Sequence, residues 1–137
     1  MKLTAIRMCS VIMALVFVLS SFAVAGYADN KDSEQEYRFT YIYSCEGNIQ
    51  VGVLSTSVYT KIKGKSGVTS VKIKMELQKL SDGAYSTVET WEQTFSGTNG
   101  EMEESKLTNP LSTYRLKSTV TAYTTNDSES YTFYKYA

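Results

Sequence analysis

The chain has 137 residues, with 14 basic and 14 acidic side chains, no histidine, a single proline and 42% hydrophobic residues. That length suits one domain. Without imidazole there is no Ser-His-Asp or Cys-His nucleophilic pair and no histidine-held zinc, and the balanced charge argues against a nucleic-acid surface.

At the N-terminus, Lys2 and Arg7 precede an apolar run from Met8 to Leu19, which gives way to small residues. This is the pattern of a secretory signal peptide. Ala23-Val24-Ala25 allows cleavage before Gly26, and Gly26-Tyr27-Ala28 allows cleavage before Asp29. The polar stretch that opens at Asp29 favours the second site, so residues 1–28 are read as the signal. The competing reading is an uncleaved anchor, because residues 8–25 are almost long enough to span a bilayer. Ser10, Ser20, Ser21 and the two small-residue sites weigh against it, and Cys9 stands too early for a lipobox cysteine. No later stretch is apolar enough to cross a membrane, so the expected location is extracellular. Cleavage removes Lys2 and Arg7, which leaves a slight acidic excess. It also removes Cys9, which leaves Cys45 alone and rules out an internal disulfide. The lone thiol is then either buried and inert or the seat of an intermolecular bridge, and so of a dimer.

Residues 29–36, "DNKDSEQE", are polar and without apolar periodicity, and read as a disordered lead-in. Their acidic spacing does not match an EF-hand loop. From residue 37 the chain is a succession of strand signals: 37–43, 48–55, 57–64, 68–80, 85–95, a weak edge strand at 101–107, then 113–123 and 130–136. The clearest is 68–80, where Val71, Ile73, Met75 and Leu77 alternate with Lys72, Lys74, Glu76 and Gln78. Asp82-Gly83 follows and predicts a hairpin, since both positions tolerate positive φ. Val88 and Trp91 differ in phase, which predicts a bulge near Glu89–Thr90. No segment after the signal has a helical period. Seven or eight short strands with frequent turns predict an all-β domain over 37–137, an immunoglobulin- or fibronectin-III-like antiparallel β-sandwich. Tyr114 opens an alternating strand just after Pro110 and fits a tyrosine corner, its ring in the core and its hydroxyl bonded to backbone near 108–111.

Gly64-Lys65-Ser66-Gly67 has the look of a phosphate-binding loop. A Walker A loop needs a glycine five residues before the Gly-Lys-Ser and a helix after it. Tyr59 stands at the first place and the strand pattern "GVTSVKIKM" follows at the second. Gly64 and Gly67 therefore read as turn glycines between two strands, and no nucleotide or other cofactor is expected.

The same region carries a family resemblance. Leu77-Gln78-Lys79, Ser81-Asp82-Gly83, Thr87-Val88 with Trp91, and Tyr114-Arg115 with Lys117 and Val120-Thr121-Ala122-Tyr123 resemble the pattern of a family of small secreted proteins of clostridia-like Gram-positive bacteria. The resemblance covers most of residues 45–136. It implies a β-sandwich of unknown function and supplies no catalytic residues.

Three surface features remain. Lys61, Lys63, Lys65, Lys72, Lys74 and Lys79 form a basic stretch, read as a solvated sheet face rather than an anion site. Glu89, Glu92, Glu101, Glu103 and Glu104 lie on later strands; 68–80 and 85–95 should pair antiparallel, so some of these charges are expected to oppose the basic stretch across that ladder rather than to form a glycosidase pair. Eleven tyrosines are more than a core needs. In the last strand Tyr131 and Phe133 share one face and Tyr134 and Tyr136 the other, so one pair must face outward. The expected function is a secreted, non-enzymatic binding module for an extracellular protein or cell-wall polymer. The alternative is a small carbohydrate-binding domain that uses Tyr134, Tyr136 and Trp91.

Overall fold

A computed structural model describes residues 38–137, and within them every regular element is a β-strand. The expected signal peptide at 1–28, the lead-in at 29–36 and Tyr37 lie outside the described residues. The strands are β1 (Ile42–Val51), β2 (Ser55–Gly64), β3 (Ser70–Ser81), β4 (Ala84–Ser96), β5 (Asn99–Leu107), β6 (Tyr114–Tyr123) and β7 (Ser128–Tyr136). They form two antiparallel sheets, β1-β2-β5 and β4-β3-β6-β7, packed as a sandwich.

Period-two patterning decides which face is buried. Val71, Ile73, Met75 and Leu77 of β3 and Leu116, Val120 and Ala122 of β6 point inward, against Val58 and Ile62 of β2. Each fully buried Leu or Ile contributes about 1.5–3 kcal/mol. One polar link crosses this core: the hydroxyls of Thr60 on β2 and Ser118 on β6 share a hydrogen bond of 2.9 Å, and both residues are fully buried.

The eight predicted segments become seven strands, because 37–43 and 48–55 do not stand as separate strands. Ser44 to Gly47 run inside β1, and the turn falls later, at Gly52–Leu54. The physical reason is Gly47. A Cβ there would lie 2.6 Å from the ring of Phe133 on β7, so the glycine makes room for a ring of the opposite sheet. At the other edge of the sandwich, Gly100 of β5 does the same for Phe95 of β4, with a Cβ 2.7 Å from its ring and 2.9 Å from Val71. Both open edges are thus closed by a phenylalanine on a glycine.

The local motifs fall close to expectation. Gly64-Lys65-Ser66-Gly67 carries the chain from β2 to β3 and is followed by a strand. The Val68 amide donates to the Lys65 carbonyl, and Gly67 takes φ +95° at the third position of that turn. Asp82 and Gly83 have φ of 52° and 78° and form the two-residue hairpin between β3 and β4. The β4 bulge is found one residue earlier than predicted, at Val88: Thr87 pairs with Gln78 and Glu89 with Leu77.

Tyr114 is buried in the core. Its hydroxyl, however, makes no hydrogen bond among the described residues, so the expected corner bond to 108–111 is not formed. That loop is held by its own contacts instead. Thr108 donates its amide to the Leu54 carbonyl, Ser112 to the Asn109 carbonyl, and Leu111 to the Asn109 side chain.

A second link between the sheets was not foreseen. Glu129 of β7 accepts the amides of Thr40, Tyr41 and Ile42 at 2.8, 2.7 and 2.8 Å. The carboxylate of one sheet thereby fixes the entry to the first strand of the other. The Lys65 ammonium donates to the Phe39 carbonyl, and the Tyr41 hydroxyl donates to Asp127 at 3.1 Å.

Candidate functional site

In β7 the alternation places Tyr131 and Phe133 against the core and Tyr134 and Tyr136 on the outer face of the four-stranded sheet. Tyr136 pairs with Arg115 and Tyr134 with Lys117 on β6. Gln78 of β3 stands on the other side of Arg115. Tyr85 reaches this face because of the bulge at Val88. Trp91 and Tyr85 have the same parity, yet the extra residue turns Trp91 inward opposite Met75 and Tyr85 outward beside Leu80.

These side chains close around the guanidinium of Arg115. Its carbon lies 3.9, 4.5 and 5.9 Å from the ring centres of Tyr85, Tyr134 and Tyr136. Its Nε donates to Gln78 Oε1 at 2.8 Å, and Nη1 reaches the Tyr136 hydroxyl at 3.4 Å. Gln78 in turn donates to Thr87, Thr87 to Glu76, and Glu76 pairs with Lys117 at 3.1 Å. The guanidinium is held between π-faces and a carbonyl oxygen, which fixes the rings as well as the cation. Tyr85 and Tyr136 meet edge to face, 69° apart, so they do not form a flat platform.

Beside this cluster, an open groove of about 540 Å³ runs between β1 and β7, bordered by Cys45, Glu46, Phe133 and Lys135. Cys45 is half-buried and free. Burial pushes its thiol above the ordinary value, an effect that Lys135 partly offsets. A thiol in that state is a weak nucleophile near neutral pH.

Of the three residues expected to meet a ligand, Tyr134 and Tyr136 stand together on the outer face. Trp91 does not join them: it is half-buried, packed against the core, on the far edge strand of the same sheet. Sequence reading missed Tyr85, Arg115 and Gln78. The signal for Arg115 was present in its outward phase beside Tyr114, but the turn of Tyr85 depends on where the bulge falls. Two of the six lysines of the basic stretch meet the acidic set, whose Glu89 pairs instead with Lys106, outside the stretch. Lys61 meets Glu101 at 3.9 Å, Lys72 meets Glu92 at 3.0 Å, and Glu89 meets Lys106 at 2.8 Å. Lys63 lies over the Tyr43 ring at 5.0 Å.

No protein-family model matches the chain, and no curated protein matches it. Among solved structures, it is similar to a protein from Archaeoglobus fulgidus at 12% identity and a TM-score of 0.40, over 70% of this chain and 94% of that one. It is also similar to a β-glucosidase from Kluyveromyces marxianus in complex with glucose, at 10% identity and a TM-score of 0.33. That likeness covers 69% of this chain and 14% of the enzyme.

Proposed function

We propose that the chain is an exported, non-enzymatic interaction module, an immunoglobulin-like sandwich of fibronectin-III type that binds a protein partner through the outer face and free edge of β7. The strand order supports the fold assignment. The fourth strand stays beside the third, whereas a constant immunoglobulin domain places it in the first sheet. The basic, apolar and small-residue succession at the N-terminus supports export. The lack of any histidine supports a binding role over a catalytic one.

The observation that carries the reading is the Arg115 cluster. Tyrosine and arginine are the side chains that dominate protein interfaces, and here they are rigid before any partner arrives. A sugar ring stacks best on a flat aromatic surface, and the 69° angle between Tyr85 and Tyr136 favours a protein over a polysaccharide. The test is capture of culture-supernatant proteins, with insoluble cell wall as a parallel arm, using the chain from Asp29 and its Tyr134→Ala, Tyr136→Ala double variant. The reading expects a discrete protein retained by the parent and lost by the variant. Binding to cell wall alone, lost in the same variant, would replace it with the carbohydrate reading. A partner retained by the variant would move the site elsewhere.

A further inference from the structure

Two sheets give four edge strands, β1, β5, β4 and β7, and three of them are blunted. β1 has a bulge at Tyr43 and Gly47 within its length, β4 has a bulge at Val88, and β5 has Gly100 followed by Glu101, Glu103, Glu104 and Lys106. Bulges, glycines and charges are devices that keep an edge from pairing with another chain. β7 has 9 residues, no glycine, no proline and an unbroken register with β6, and its centre, residues 130–134, carries no charge. Its ladder is closed at one end by the Thr124 amide on the Asp127 carbonyl and at the other by the Ala137 amide on the Tyr114 carbonyl. By antiparallel alternation the odd residues of β7 therefore bond to β6. Ser130, Thr132, Tyr134 and Tyr136 turn their backbone N–H and C=O groups away from it, unpaired among the described residues. Phe133 on Gly47 closes the gap between the sheets on this side but leaves that backbone edge bare.

We infer that β7 pairs with β7 of a second copy, antiparallel about a twofold axis at Thr132, so that the two four-stranded sheets run on as one. The inference rests on the reading of β7 as an interaction edge and names the partner. What selects a second copy is the sequence of the strand, "SESYTFYKY". Thr132 is its midpoint and also one of the residues whose backbone faces outward, so the full length pairs without offset. On the outer face, the small Ser128 and Ser130 of one copy stand opposite Tyr136 and Tyr134 of the other, and Thr132 meets Thr132. Tyr134 and Tyr136 thus keep Arg115 on one side and gain the serines on the other. On the inner face Tyr131 stands opposite Phe133, beside the open groove. Those are non-hydrogen-bonded positions, where the side chains of an antiparallel ladder come closest. The remaining pair is Glu129 with Lys135. Glu129 already accepts three amides, and Glu46 borders the groove of Lys135, so this pair adds little attraction. Its importance is that no like charges oppose each other along the ladder. An isologous contact of this kind closes at two copies.

The first measurement is sedimentation velocity of the chain from Asp29 over a rising concentration series, with and without reductant. Two variants then probe the axis. Thr132 is exposed and its hydroxyl bonds only to Thr119, so Thr132→Lys and Thr132→Glu are compatible with the fold, which urea unfolding checks. Each variant alone sets like charges face to face on the axis, and a mixture of the two sets opposite charges there. Amide exchange of the parent at low and high concentration needs no substitution and reads the edge directly.

The inference expects a dimer indifferent to reductant, weakened about tenfold or more in either variant alone and restored in their mixture. The amides of Ser130, Thr132 and Tyr134 should exchange more slowly at high concentration than at low. Those of Tyr131 and Phe133, bonded to β6, should stay slow throughout. A chain that remains monomeric to about 1 mM, with the even amides open, overturns the inference. Capture of a different protein, lost in the Tyr134→Ala, Tyr136→Ala variant, would then leave the proposed function standing without it. A dimer lost in reductant would be a Cys45 bridge and overturns it as well. So does a dimer that both charged variants retain, or a mixture no tighter than either variant alone, because the contact would then lie elsewhere.

Discussion

Among the described residues, Thr60 and Ser118 are the one hydroxyl pair in which both partners are fully buried, and each satisfies the other. Removing one orphans its partner. Ser118→Ala should therefore cost about 1–3 kcal/mol, while Thr60→Val combined with Ser118→Ala should cost less than the sum of the two singles. Urea unfolding of the four proteins checks this; strict additivity would mean the bond contributes nothing. Tyr114 gives the opposite expectation. Its ring is buried, but its hydroxyl has no partner among the described residues, so Tyr114→Phe should change stability by no more than about 0.5 kcal/mol. A loss of 1 kcal/mol or more in the same assay would show that the hydroxyl does bond. The phase that buries Tyr114 was legible in its alternating strand. Whether the corner would turn on Tyr114 or on Asn109 was not, because either side chain offers the loop a hydrogen bond.

At the scale of the strands, the sequence was readable wherever the partner is close along the chain. Asp82-Gly83 specified its hairpin because the turn is a two-residue decision about φ. The position of Gly47 inside β1 was unreadable because its reason, the Phe133 ring, lies far along the chain in the other sheet. Parity failed in two places for one cause. Bulges at Tyr43 and Val88 each add a residue, so that Ile42 and Cys45 both face inward, and Trp91 and Tyr85 face opposite ways. The candidate site inherits this: Tyr134 and Tyr136 were legible by alternation, and Tyr85 was not. The two glycine edges should respond unequally to a methyl group. At Gly100 it would meet the inner atoms of the Phe95 ring and the fully buried Val71, neither of which can move freely. Gly100→Ala should destabilise by about 1–3 kcal/mol. At Gly47 it would meet the outer edge of Phe133, which borders the open groove and can swing, and would lie 3.2 Å from the Tyr59 backbone oxygen, a contact relieved by a shift of a few tenths of an ångström. Gly47→Ala should cost about 1 kcal/mol or less, since alanine also recovers backbone entropy. Denaturant midpoints that are equal for the two, or reversed, would contradict this account of the edges.

The two sheets are joined as a whole by their core and, at the end where β2 turns into β3, by Glu129. Burial disfavours its charge. That effect is outweighed by the three amides of Thr40, Ile42 and Tyr41, helped by the Lys65 charge, so its carboxyl is held below the ordinary glutamate value. Asp127 stands nearby, occupied by the Tyr41 hydroxyl. Because the folded value is depressed, the stabilisation is fully present above the unfolded value, about pH 4.3. It is lost as pH falls through that value toward the folded one, since the unfolded chain takes up the proton first. Glu129→Gln keeps the shape but loses the charge and sets an amide N–H₂ against amide donors. At pH 7 it should cost about 1–2 kcal/mol, the range for bonds to a partly exposed charged acceptor. The difference from the parent should shrink as pH drops from about 5 to about 3, where the parent carboxyl also becomes neutral. Urea unfolding of both proteins across that interval decides the matter, with hydrogen exchange at Thr40, Tyr41 and Ile42 reporting the local release. A gap that stays constant with pH would mean that the shape of the side chain, and not its charge, pins the first strand to the opposite sheet.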